Sequence, residues 1–191
     1  LVPGKVVPAG RLLVVDDSSV YGYGRKYDYY KWTTPMEYHL FSADKEPQRL
    51  KPPAPRKPAK TRAARRQQQK RRANAPKTKP VYHWSNDTPL YVRAMVLADK
   101  TLFIAGPPDI IDEEEIFKNP EARNVAKKLR EQTDALEGQK GALLHVVSTS
   151  AGTKLAEYRL ETVPVWDGMA AANGRLYLAM KNGRVLCLEG K

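Results

Sequence analysis

The sequence predicts an all-β fold, and three observations carry that prediction. Short runs of alternating apolar and polar residues recur along the chain, as half-buried strands require. Tight turn signals separate them, above all Asn173-Gly174 and Asn182-Gly183, a residue pair suited to the positive φ angles of a two-residue hairpin. One strand pair also recurs. The segment from Ala94 to Ala105 aligns without a gap on Gly168 to Ala179 at an offset of 74, with Met95, Ala98, Leu102 and Ala105 identical to their counterparts.

In chain order, Lys5 to Ala9 reads as a strand, and Arg11 to Asp16 pairs with Val20 to Gly24 around the polar corner Asp17-Ser18-Ser19. Tyr27, Tyr29, Tyr30 and Trp32 crowd the next stretch. With Tyr21 and Tyr23 they suit either packing between strands or a flat carbohydrate-stacking surface. Met36 to Phe41 reads as a further strand. From Lys45 to Pro80 the composition shifts to Pro, Lys, Arg, Gln and Ala, with 12 basic and no acidic residues between 51 and 80. No apolar face can be drawn there and like charges repel, so the segment is expected to be a disordered loop, transiently helical at most over 61–73. Strands resume at Val81 to Trp84, then in a hairpin of Val92 to Ala98 with Thr101 to Ala105. After an acidic patch (Asp109, Asp112 to Glu115) one helix is expected, capped by Asn119, with Pro120 in its first position. Val125, Leu129 and Leu136 form its stripe and Gly138 its stop. A third hairpin (142–148 with 154–160) and strands at 165–172, 175–180 and 184–188 complete the chain. The organisation is thus a β-rich 1–44, a basic insert at 45–80, and a β-rich 81–191 with a helical insert near 107–140.

Charge and composition narrow the function classes. The 191 residues carry 33 Lys and Arg against 21 Asp and Glu, but outside 51–80 the count is 21 against 21. The body is neutral and only the insert is basic. Three histidines and one cysteine supply neither a Cys/His metal cluster nor a disulfide framework. Cys187, in an alternating apolar run, is expected to be a small buried hydrophobe. No apolar run approaches the roughly 18 residues a spanning helix needs. The acidic patch lacks the spacing and glycine of a calcium loop and reads as a solvated helix lead-in. Asp28 and His39 with nearby hydroxyls form no recognisable nucleophile arrangement. No catalytic, metal or cofactor-binding residue is assigned. Opening on Leu1, with no charged and apolar leader, the chain reads as part of a longer protein.

The repeat extends this reading. Gly10 to Val14 matches Gly174 to Leu178 at an offset of 164. With 51–80 and 107–140 set aside, Leu12, Leu102 and Leu176 lie 60 and 40 residues apart. The second figure is near one four-stranded blade of about 40 to 50 residues. Gly141-Ala-Leu-Leu-His-Val-Val-Ser-Thr-Ser-Ala-Gly-Thr-Lys-Leu-Ala-Glu-Tyr158 resembles the "G-x-L-x-A-x-D-x-x-T-G-x-x-x-W" strand pair of bacterial PQQ-like (quinoprotein-type) β-propeller repeats. Asn173 to Leu188 is similar to their "G-x-(V/L)-Y-(V/L)-x-x-x-x-G-x-(V/L)-x-x-L" hairpin. The likeness covers 141–190 well, 92–106 fairly and 5–24 weakly. Ser148 replaces the family's usual Asp and Tyr158 its closing Trp, which bears on the tryptophan docking that braces regular blades.

The resemblance implies a partial propeller of two to three blades, interrupted by one inserted helix and a disordered basic loop. It implies a non-enzymatic binding or scaffolding module of a larger bacterial protein, periplasmic, in the cell envelope or secreted, with its remaining blades as partners. A dehydrogenase branch of the family would need a full ring of blades, a quinone cofactor, calcium and a catalytic Asp. Two candidate sites come from the residues themselves. Arg62, Arg65, Arg66, Lys70, Arg71 and Arg72 belong either to a tolerated, solvated insertion or to a polyanion-binding patch, non-specific because no aromatic residue is interleaved for base stacking. Arg93 and Asp167, equivalent by the offset of 74, are expected to line a channel, either paired across the repeat boundary or both pointing into channel water. Trp84 and Trp166 are expected to brace adjacent units. The partner itself, protein or polymer, is not named by these residues.

Overall fold

The computed structural model describes residues 6–26, 38–51, 61–73, 77–121 and 123–190. Three antiparallel sheets of three or four strands follow one another along the chain, beside a two-stranded fourth. Sheet I is ordered β1 (Leu12–Val15), β2 (Ser19–Arg25), β3 (Tyr38–Asp44), β6 (Tyr82–Asn86). Between its last two strands come β4 (Gln48–Arg49), α1 (Arg62–Ala73) and β5 (Thr78–Lys79), with β4 paired to β5. Sheet II runs β7 (Ala94–Ala98), β8 (Thr101–Gly106), β9 (Ala142–Ser148), β10 (Lys154–Leu160), with α2 (Glu113–Lys118) and α3 (Val125–Glu137) inserted after β8. Sheet III is β11 (Pro164–Ala172), β12 (Arg175–Met180), β13 (Val185–Glu189). The chain is therefore all-β, with sheets II and III meanders of consecutive strands and sheet I one whose last strand follows the β4–α1–β5 excursion.

The sequence repeat is a structural repeat. Strand β8, shifted by 74, has the bounds of β12, and the pairing Met95↔Ile104 becomes Met169↔Leu178. Asp99 and Asn173 open the two turns with φ of 51° and 52°, the left-handed conformation that Asp and Asn tolerate better than most residues. Each interface between successive sheets is filled by its own core. Leu12, Tyr21, Tyr23, Leu40 and Trp84 of sheet I meet Met95, Leu102, Ile104 and Val147 of sheet II. Ala105, Leu144 and Leu160 of sheet II meet Leu176, Leu178 and Met180 of sheet III. Leu102 and Ile104 are fully buried, so truncating either to Ala is expected to cost roughly 2 to 5 kcal/mol. The leading strands pack against one another, β7 touching both β1 and β11.

Several expectations are corrected. Three helices replace the single one expected. Inside the basic insert, α1 spans Arg62–Ala73 with Thr61 Oγ1 accepting from Ala64 N, and β4 pairs with β5, where a disordered loop was expected. A side-chain cap and a run of good helix formers supply the local drive that a search for an apolar face overlooks. The acidic patch forms α2: Asp112 accepts from Glu115 N and Asn119 ends that helix instead of capping the next. On α3 the buried side chains are Gln132 and Ala135, while Leu129 is exposed. Strand β1 leads its sheet, so it corresponds to β7 and β11, and the match of Gly10–Val14 to β12 does not hold in space. Cys187 is exposed, because β13 lies at the edge of its sheet. No strand covers the described residues 6–9, and Tyr27 to Trp32 lie outside the described residues.

Candidate functional site

The lead-in to the first strand of each sheet is the most built-up place in the molecule. Arg11 precedes β1 and its N–H donates to Tyr23 O at 2.8 Å; Arg93 precedes β7 and its N–H donates to Ala105 O at 2.8 Å. The two arginines thus hold the same position, one sheet apart. Asp167, shifted by 74 from Arg93, holds it in sheet III. There β11 breaks register between Pro164 and Met169, Asp167 takes φ 55°, and its N–H crosses to Arg93 O at 2.8 Å. A non-glycine residue at positive φ inside a strand costs on the order of 1 to 3 kcal/mol and needs surroundings that enforce it. The cross-sheet bond is such an enforcement.

The side chains extend this arrangement. The Arg11 guanidinium lies 4.8 Å from the centre of the Trp166 ring and 5.6 Å from that of Tyr38, and donates to Tyr38 Oη at 3.3 Å. Trp166 therefore joins sheets I and III by stacking beneath an arginine. Tyr38 stacks on Tyr23 (5.3 Å) and meets the edge of Tyr91 (5.8 Å). Tyr91 donates to the Glu113 carboxylate, which ties α2 to the junction. Burial, joined by the Glu113 hydrogen bond at Tyr91 and by the Asp109 charge at both, pushes Tyr23 and Tyr91 above the ordinary phenol range, so both keep their protons near neutrality.

Arg93 departs from expectation. Its Nη2 donates to Leu136 O at 2.8 Å, and it meets Asp167 through the backbone bond. Gly138, at φ 99°, and Gln139 close α3 by bonding the Ala135 and Asp134 carbonyls, which leaves Leu136 O to be capped from outside. A cation at a helix C-terminus also complements the helix dipole.

A second constellation is a serine–histidine–aspartate chain. Ser42 Oγ is 3.2 Å from His83 Nδ1, and His83 Nε2 is 2.7 Å from Asp44 Oδ1. Ser42 is 1% exposed, so its hydroxyl meets no substrate; the chain fastens β6 to β3. Of the expected polyanion residues, Arg62, Arg65, Arg66 and Lys70 lie exposed on one side of α1; the side chains of Arg71 and Arg72 lie outside the described residues. A groove of ≈ 840 Å³ lies between sheets II and III, lined among others by Phe103, Tyr158, Leu176 and Cys187. Trp84 braces as expected: it stacks on the β9–β10 corner, its Nε1 donating to Thr149 O at 2.8 Å.

Arg11 is the residue that sequence reasoning missed. Its signal was present: Arg11-Leu-Leu-Val14 matches Arg93-Ala-Met-Val96, but the Gly-Arg-Leu likeness to β12 drew the alignment elsewhere. Compared with known proteins, the chain matches no protein-family model and no curated sequence.

Proposed function

We propose that the three sheets are successive blades of a β-propeller of the PQQ-like type and that the chain is a non-enzymatic binding or scaffolding module within a larger bacterial protein of the cell envelope. The repeat at offset 74 carries this reading, because it preserves strand bounds, register and turn geometry between sheets II and III. Two further features support it: the leading strands adjoin one another, and a separate apolar core fills each gap between sheets. In such an arrangement Arg11, Arg93 and Asp167 stand side by side around the inner rim, which is the recognition face.

An experimental structure of the chain within its full-length protein tests this reading. Sheets radiating from one axis with β1, β7 and β11 innermost are expected; two sheets closed face to face as a sandwich would overturn it. Titration with the quinone cofactor and calcium tests the oxidoreductase alternative, for which saturable quenching of tryptophan fluorescence is the signature. Polyanion binding through α1 is kept as a second reading because that helix exposes four cations on one side with no acidic residue in its first turn.

A further inference from the structure

We propose that Arg11 and Arg93, with Trp166 and Tyr38 as an aromatic wall, form a binding site for a small oxyanion, a carboxylate or phosphate group. This deepens the binding-module reading by naming a ligand class for its inner rim, yet it stands on the contact of β1 with β7 whatever the sheets are called.

Both arginines hold the same register position on adjoining strands, so the fold sets two positively charged side chains at neighbouring places. Among the described residues neither makes an ion pair, whereas Arg175 and Lys154 elsewhere each hold a carboxylate. Burial, and then the neighbouring Arg11 charge, lower the affinity of Arg93 for its proton, in keeping with that placement. Each guanidinium is anchored by one protein acceptor, Tyr38 Oη for Arg11 and Leu136 O for Arg93. Their remaining N–H groups form forks suited to paired oxygen atoms. The site is open: Arg11 is exposed and Trp166 is 49% exposed. An oxyanion between the forks would offset the repulsion, and the indole beside Arg11 would flank the ligand's body. Asp167, the third member of the register, carries the opposite charge and sets a limit on the site. It repels an anion, so its neutralisation should tighten binding.

The test is a tryptophan-fluorescence titration of the chain with inorganic phosphate and, separately, malonate, at ionic strength held constant with sodium chloride. Saturable binding is expected. Arg11→Gln should weaken it about tenfold, the loss of one charge-assisted fork, and Asp167→Asn should strengthen it several-fold. Arg93→Gln should also weaken it, read beside a thermal melt because that residue caps α3. Neutralising Arg62, Arg65, Arg66 and Lys70 together should leave it unchanged. Saturation with phosphate alone, malonate alone or both assigns the oxyanion type within the proposal. No saturation up to about 20 mM, far weaker than a dedicated site, overturns it, as does equal affinity in wild type and Arg11→Gln or a loss that follows the α1 substitutions. These results are independent of blade geometry, so failure here leaves the propeller reading standing, and a sandwich structure would leave the titration standing.

Discussion

His39 shows how burial sets the behaviour of a single side chain. It lies 6% exposed in β3 with Nδ1 2.6 Å from Ser85 Oγ, and burial, assisted by Lys26, pushes its pKa down to about 4. The unfolded chain binds that proton near 6.5, so between the two values protonation favours unfolding. The stabilisation is complete above pH 6.5 and is lost as pH falls toward 4, by up to roughly 3 kcal/mol. Denaturant melts of wild type and His39→Gln across this window should converge toward acid pH, wild type losing the more; parallel curves would show that His39 does not govern the acid limb. Cys187 makes the opposite point. The alternation around it was legible, but alternation says only that one face is covered, and among the described residues β13 has a neighbour on one edge alone. Its thiol should react with a disulfide reagent in the native protein at one equivalent per chain. A thiol that reacts only after denaturation would mean that something covers this edge.

At the scale of elements, what was legible and what was not divide along the range of the interaction. The hairpins were legible because their determinants are local: alternation, Asn-Gly turns and the left-handed φ those turns demand. The helical insert was misjudged because its orientation depends on polar contacts across tens of residues. Gln132, 4% exposed on α3, accepts from Ile110 N at 2.7 Å and Ile111 N at 3.3 Å and donates to Pro108 O at 3.2 Å. An apolar stripe read by periodicity gives no hint that one amide fastens the helix. Gln132→Ala strands these backbone groups beneath the helix and should cost about 2 to 3 kcal/mol, whereas Leu129→Ala, at an exposed position, should cost under about 0.5 kcal/mol. Comparable losses in the two variants would restore the apolar stripe as the anchoring face. Helix α1 follows different physics, since none of its described side chains is buried. If the six cations of α1 bind polyanions, affinity for heparin should fall linearly in log salt with a slope of no more than about six, and a charge-neutral α1 should abolish it.

For the molecule as a whole, the question is how separate sheets come to behave as one body, and Trp84 gives the clearest answer. It sits on the last strand of sheet I, yet its indole lies over the β9–β10 corner of sheet II and donates to Thr149 O, while Asn86 Nδ2 donates to Gly152 O at 3.0 Å. Gly152 has φ 67°, and a Cβ there would stand 2.5 Å from Trp84 Cε3, so both its conformation and its lack of side chain are used. The corresponding closing residue of sheet II is Tyr158, which is 56% exposed. Sheet III has no fourth strand among the described residues and hence no such corner to receive it. The docking that the departure from tryptophan at 158 put in question is made at Trp84. Gly152→Ala should destabilise by about 2 to 4 kcal/mol, through left-handed strain and overlap with the indole. Trp84→Ala should cost about 3 to 5 kcal/mol. The two should not add: once the indole is gone the new methyl group has room and only the backbone strain remains, so the double variant should be more stable than the sum by about 1 to 2 kcal/mol. Denaturant unfolding followed by circular dichroism reads the cycle. Additivity within about 0.5 kcal/mol would mean that sheets I and II are not joined at this corner and that their shared core alone holds them together.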